Sequence, residues 1–403
     1  MNTRPTVRRN TAVLHGVLHW SCIAAILLHF PQDINADIDE TGVRGSPPDV
    51  IAQLHGFSTE RHSVTTEDGF ILDLFRLPAN DTEETNSRPA VLLVPGILCN
   101  AATWFLNNDK SMPYLLANEG FDVWVAAGRG VRYARTHTSL TNTSRDYWDY
   151  SFHEQGLYDV PALIDYVLEH TQRPKLQFVG YSMGAAMFLV ATTQLQAYRD
   201  RVSHAYLVAP AVYLTYSTSP LVRSFPVLGA LDYLLTPGGL SFENPVVRKL
   251  LEEVCSGQLT DAVCAALLGT RAPDQSEEQV KFNYQYFPDA TSAKTLLHYS
   301  QGQYKERWFR QFDNGILTNL QVYGSITPPS YPLSSATVPT SVFYGADDIL
   351  VGVKSAEQLI EDLPNVKRAV KVAGLTHVDV MFGRNARESL YEPLVKAVVE
   401  DSV

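Results

Sequence analysis

The stretch that most constrains this chain is Lys175-Leu-Gln-Phe-Val-Gly-Tyr-Ser-Met-Gly-Ala-Ala-Met-Phe-Leu-Val190. Leu176 to Val179 is a short apolar run of buried-strand character. It passes through Gly180-Tyr181-Ser182-Met183-Gly184 into Ala- and Leu-rich helix-forming sequence. A G-x-S-x-G turn between strand and helix forces a strained backbone at its serine, and glycines at 180 and 184 let strand and helix approach closely. Ser182 is thereby presented at a helix N-terminus, where free N–H groups and the helix dipole favour developing negative charge. The expected role of Ser182 is that of a nucleophile.

A nucleophile needs partners, and three further strand ends supply them. Ala90-Val-Leu-Leu-Val94 is a continuous apolar strand, expected in the middle of a parallel sheet covered on both faces. It ends at Pro95-Gly96-Ile97-Leu98, where the glycine frees the next backbone N–H to face a ligand. Ile97 N–H and Met183 N–H are the expected oxyanion-hole donors, each typically worth about 10²–10³ in rate. Ser341-Val-Phe-Tyr-Gly-Ala-Asp-Asp-Ile-Leu350 carries a carboxylate after a strand, and Gly374-Leu-Thr-His-Val-Asp-Val380 a histidine after the last one. Serine, then acid, then histidine is the chain order of an α/β-hydrolase triad. Ser182 is read as nucleophile, His377 as base and Asp348 as the acid that orients the imidazole, with Asp347 and Asp379 as rivals for that last place.

Strand-like runs also occur at 121–126, 204–208, 340–344 and 369–372, with helical patterns at 156–170 and 183–198. Alternation of this kind predicts an α/β-hydrolase-type fold, a mostly parallel sheet with helices on both faces. Val64 to Leu77 predicts a hairpin turning at Glu67-Asp68-Gly69. The interval from Ser182 to Asp348 is longer than the next strand and two helices need. Residues 211–337 are therefore expected to form a mostly helical cap, splitting the core into 37–210 and 338–403. That insertion is rich in apolar helical sequence (Pro220 to Leu235) and aromatics (Phe282 to Phe287), so it should roof the nucleophile with a greasy wall.

Residues 1–36 have the pattern of a cleaved signal peptide: Arg4, Arg8 and Arg9, an apolar run over 11–30, and a small-residue exit at Ile34-Asn35-Ala36. The competing reading is an uncleaved anchor, which His15, His19 and His29 disfavour. No later stretch is long and apolar enough to span a bilayer, so the expectation is a secreted protein, with the lysosome as the alternative. Cys255 and Cys264 are close enough for a local disulfide worth roughly 2–3 kcal/mol. Cys99 is left as an odd buried thiol, and neither a metal site nor any cofactor is suggested. Asn80-Asp-Thr and Asn142-Thr-Ser are glycosylation sequons. A net charge of −11 without a basic block argues against nucleic acid as a partner.

Longer segments tie these pieces to a family. They include His62-Ser-Val-Thr-Thr-Glu-Asp-Gly-Phe-Ile-Leu72, Tyr147-Trp-Asp-Tyr-Ser-Phe-His-Glu-Gln-Gly-Leu-Tyr-Asp-Val-Pro161 and Phe287-Pro-Asp-Ala-Thr-Ser-Ala-Lys-Thr-Leu-Leu-His-Tyr-Ser-Gln301, with Gln311-Phe-Asp-Asn-Gly315 and Pro328-Pro-Ser-Tyr331. From about Asp49 onward the chain resembles the acid lipases, the gastric and lysosomal lipases and their secreted insect relatives. The resemblance implies Ser182, Asp348 and His377 as triad, Ile97 and Met183 as oxyanion donors, and Cys255–Cys264 as a disulfide of the cap. It also implies neutral lipid esters as substrates, taken at a lipid–water interface. Two departures stand out. The family usually has His-Gly where this chain has Pro95-Gly96, and Gly-His-Ser-Gln-Gly where it has Gly180-Tyr181-Ser182-Met183-Gly184. Because the donors are backbone N–H groups, Met183 need not remove one. A slow lipid-binding protein and a short-chain carboxylesterase are the alternatives.

Overall fold

A computed structural model describes residues 45–78, 89–243, 249 and 276–402. Its centre is a nine-stranded sheet whose main path runs β1 (Glu60–Thr65), β2 (Phe70–Leu77), β4 (Asp122–Ala126), β3 (Ala90–Val94), β6 (Leu176–Tyr181), β7 (Val202–Val208), β10 (Thr340–Gly345) and β11 (Val366–Val372). The short β5 (Thr136–His137) pairs with β2 off this path. From β4 to β11 every pairing is parallel; the hairpin β1–β2 adds an antiparallel margin.

Burial follows position in the sheet. Every residue of β3, β4, β6 and β10 is buried, as a strand covered on both faces requires. The two margins alternate instead: β1 and β11 each expose every second residue along most of their length. That alternation moves one boundary. The sequence suggested a strand over 369–372, and β11 begins at Val366. Lys367 and Arg368 disguise the start, yet charged residues suit an edge strand and discourage edge-to-edge pairing.

Helices cover the sheet. The helical region before β6 starts at Phe152, where Ser151 and Glu154 form a capping box, passes one π-turn over Gln155–Asp159, and continues as α1 (Val160–Thr171). α2 (Met183–Gln194) follows Ser182 and stops earlier than the expected 198. The Thr192 and Thr193 hydroxyls donate to the carbonyls of Phe188 and Leu189, a local competition that weakens a helix end. Ala197–Arg201 is a separate short helix.

Between β7 and β10 lie α3 (Pro220–Leu235), α4 (Ala293–Gly302) and α5 (Ile316–Tyr323), with a two-stranded antiparallel ribbon of β8 (Gly239–Ser241) and β9 (Ala290–Ser292). The expected helical character of this part holds where it is described, and the ribbon is an addition that three-residue strands could not announce. Cys255, Cys264, Asn80 and the segment 1–36 lie outside the described residues. Asn142 sits in a half-exposed turn. No helix among the described residues is long and apolar enough to cross a membrane.

Candidate active site

β6 runs straight into Ser182, whose backbone is at φ 53°, ψ −113°, outside the region an L-residue prefers. Several contacts hold it there. The Ser182 N–H donates to Val208 O at 2.8 Å, and its carbonyl accepts from Ala185 N and Ala211 N. A Cβ at Gly184 would come within 2.5 Å of Val94 O, and one at Gly96 within 2.9 Å of Ser182 Cβ. A Cβ at Gly180 would likewise come within 2.9 Å of Ala185 N. The turn therefore tolerates only hydrogen at 180 and 184, which is the physical content of the glycine pair, and the neighbouring strand end at Gly96 is equally tight. Strain so enforced is a common mark of a working site.

Three side chains remote in sequence meet at this turn. His377 Nε2 lies 2.9 Å from Ser182 Oγ, and its Nδ1 lies 2.7 Å from Asp348 Oδ2. All three are buried, at 2 %, 5 % and 5 % exposure for Ser182, Asp348 and His377. Asp348 Oδ1 accepts from Val351 N at 2.9 Å, so the carboxylate is fixed at both oxygens. With Nδ1–H given to the carboxylate, Nε2 is free to accept the serine proton. The rivals sit differently: Asp379 Oδ2 faces Thr376 N at 3.4 Å, and the Asp347 N–H donates to Leu375 O.

Met183 opens α2 and Ile97 follows Gly96, so both N–H groups arise at neighbouring strand ends, since β3 pairs with β6. Among the described residues neither N–H meets an acceptor. Such a pair can stabilise a developing oxyanion. The loop carrying Ile97 is clamped from a distance. Asp289 N donates to Leu98 O at 2.7 Å, and Asn100 Nδ2 donates to Asp289 Oδ2 at 2.6 Å. Sequence reasoning passed over Asp289 although Phe287-Pro-Asp289 stands in one of the family-like segments.

A second overlooked residue is Tyr181. Its phenol donates to the His377 carbonyl at 3.0 Å, and its ring lies 5.4 Å from the imidazole. Burial raises the phenol's pKa well above the usual tyrosine value, so it stays a donor. The signal available was only its place beside the serine.

An apolar cavity of about 50 Å³ opens over these groups. Ile97, Ser182 and His377 form part of its floor; Leu221, Val222 and Phe225 of α3 and Tyr299 of α4 face them. Cys99 also borders it, but burial pushes its thiol up to about 12, so it stays protonated at physiological pH and is no competing nucleophile.

Comparisons with known proteins show the family and the fold. The family profile described as a partial alpha/beta-hydrolase lipase region matches residues 49–108, and that of the alpha/beta hydrolase fold matches 89–383. Lipase 3 of Drosophila melanogaster is 34 % identical, covering 85 % of this chain and 90 % of its own. Triacylglycerol lipase 1 of Arabidopsis thaliana is 32 % identical over 84 % of this chain and 87 % of its own. Gastric triacylglycerol lipase of Mus musculus is 28 % identical over 86 % and 90 %. Among solved structures, a thermophilic esterase from Thermogutta terrifontis shares the fold at a TM-score of 0.50 and 14 % identity, over 85 % of this chain and all of its own. DcsB in complex with a substrate analogue does so at 0.53 and 15 %, over 85 % and 98 %.

Proposed function

The chain belongs to the lipases of the α/β-hydrolase family, and from that premise we propose the following reaction at Ser182. The protein is a serine carboxylic-ester hydrolase, a lipase. Its substrates are esters of neutral lipids such as triacylglycerols or cholesteryl esters. His377 Nε2 takes the Ser182 proton as Oγ attacks the ester carbon, while the Ile97 and Met183 N–H groups hold the oxyanion. The imidazolium, held by Asp348, returns the proton to the departing alcohol and leaves an acyl-enzyme. Water activated by the same imidazole releases the fatty acid.

The observation that carries this reading is the Ser182–His377–Asp348 chain at 2.9 and 2.7 Å beneath an apolar roof. Residues 211–337 are assigned as the cap, and two outward surfaces suit an insoluble substrate. α3 exposes Val227, Leu234 and Leu235; α5 exposes Ile316, Leu317 and Leu320. From Asn314 to Ala346 the chain carries no charged residue, despite its net charge of −11. Such surfaces favour adsorption to an uncharged lipid phase. Export through residues 1–36, the Cys255–Cys264 bridge and glycans on Asn80 and Asn142 complete the assignment.

The test is covalent labelling by a fluorophosphonate, with a panel of p-nitrophenyl and glycerol esters of rising acyl length from acid to neutral pH. Labelling that vanishes in Ser182→Ala and turnover of long-chain glycerol esters are the expected results. Absence of labelling in the wild type overturns the hydrolase reading. A sharp preference for short soluble esters replaces the lipase with a carboxylesterase.

A further inference from the structure

At the end of the sheet opposite the catalytic loops, three side chains come together that the reaction does not use. Glu60 and His62 are two apart on the edge strand β1, so both project from one face. His170 reaches them from the last turn of α1. One carboxylate oxygen and one ring nitrogen from each histidine all lie within 4.8 Å of one another. The rings of His62 and His170 stand edge-to-face with centroids 4.9 Å apart. We propose that Glu60, His62 and His170 form a binding site for one divalent zinc ion, with water as the fourth ligand.

Two imidazoles and one carboxylate are a donor set suited to zinc, and an open fourth position suits a site at the surface. Tetrahedral bonds of about 2.0–2.1 Å place ligand atoms about 3.3 Å apart, so the widest separation in the cluster must contract by up to about 1.5 Å. The solvent-facing members leave room for this: His170 is exposed and the Glu60 side chain is 43 % exposed. His62 is the fixed member. Its ring packs at 5.0 Å from Trp124, and its Nδ1 lies 3.0 Å from Tyr166 Oη. A tyrosine hydroxyl both donates and accepts, so Tyr166 can support either tautomer and leave Nε2 to the metal, as outer partners of ligating histidines do.

Without metal, Nε2 lies 3.0 Å from Glu60 Oε2, a contact the ion would replace. Arg76 also reaches Glu60, at 2.9 Å, yet it is held bidentately by Asp122 at 2.8 and 2.9 Å. The trio Glu60, Arg76 and Asp122 thus keeps one net negative charge. The carbonyl end of α1 adds favourable potential for a cation. Once bound, zinc would pin the exposed margin of the sheet to α1.

The test uses the full chain freed of metal with a chelator, titrated with zinc sulfate by calorimetry and with cobalt chloride by visible absorption. One zinc per chain, tetrahedral cobalt bands and a raised Tm are expected. His170→Ala and Glu60→Gln should each weaken zinc binding at least about tenfold while folding normally and keeping ester turnover. A wild type without saturable binding overturns the site. So does binding that both variants retain at full strength, because the zinc is then held elsewhere.

Discussion

α2 and α3 are both apolar helices flanking the same serine, but they spend that apolarity differently. In α2 every residue from Met183 to Thr193 is buried. In α3 only Val222, Phe225, Gly229 and Asp232 are, while Val227, Leu234 and Leu235 stand exposed. Apolar sequence enclosed on all sides holds atoms to tenths of an ångström, as the hydrogen bonds around Ser182 require. Apolar sequence left open is available to a lipid phase. Under the proposed reaction the two helices divide the labour, chemistry on one side and access on the other.

Substitutions should separate these two roles. On the α2 side, Ser182→Ala removes the nucleophile, and turnover of any ester should fall by about 10⁶ with Tm nearly unchanged. Asp348→Asn leaves the imidazole without its anion; a fall in kcat of about 10⁴ is expected. Both are read from steady-state kinetics on a soluble ester, and a loss below tenfold in either would break the division.

On the α3 side, Asp232 gives a pH signature. Burial raises its carboxyl to about 6, while Thr236 donates to Oδ1 at 2.8 Å. The folded state therefore prefers the protonated form. The associated stability is full below the unfolded value near 3.8 and is lost as pH rises through about 6. The resulting cost at pH 7.5 is on the order of 3 kcal/mol. Asp232→Asn should raise Tm relative to wild type at pH 7.5, and the gap should close at pH 4. A gap of equal size at both pH values would contradict the burial account.

Smaller effects sharpen the contrast. Tyr181→Phe deletes one hydrogen bond to the His377 carbonyl, worth about 1 kcal/mol, so kcat should drop several-fold with KM unchanged. The double change Leu234→Gln and Leu235→Gln should reduce turnover of emulsified triacylglycerol several-fold. It should leave a soluble p-nitrophenyl ester within about twofold. Equal losses on both substrates would show that α3 supports the chemistry itself.

What could be read from the sequence follows the same line. The elbow, the oxyanion strand end and the order of Ser182, Asp348 and His377 were legible because each is announced by local chemistry: a glycine pair, a strand that stops, a charged residue in the following loop. Even the choice of Asp348 over Asp347 and Asp379 followed from loop position. Tyr181 and Asp289 were not legible, because their contacts join residues 196 and 189 positions apart. The start of β11 was hidden by charges that an edge strand carries for its own reasons.

The two donors proposed for the oxyanion, Ile97 N–H and Met183 N–H, belong to the main chain, and this shapes how the protein can be altered. No codon change short of proline at 97 or 183 deletes either N–H. Saturation libraries at those positions should therefore return many active clones. Exchanges at Leu221, Val222 and Phe225, and of the Ile97 side chain itself, should instead shift acyl preference, because those side chains line the cavity over Ser182.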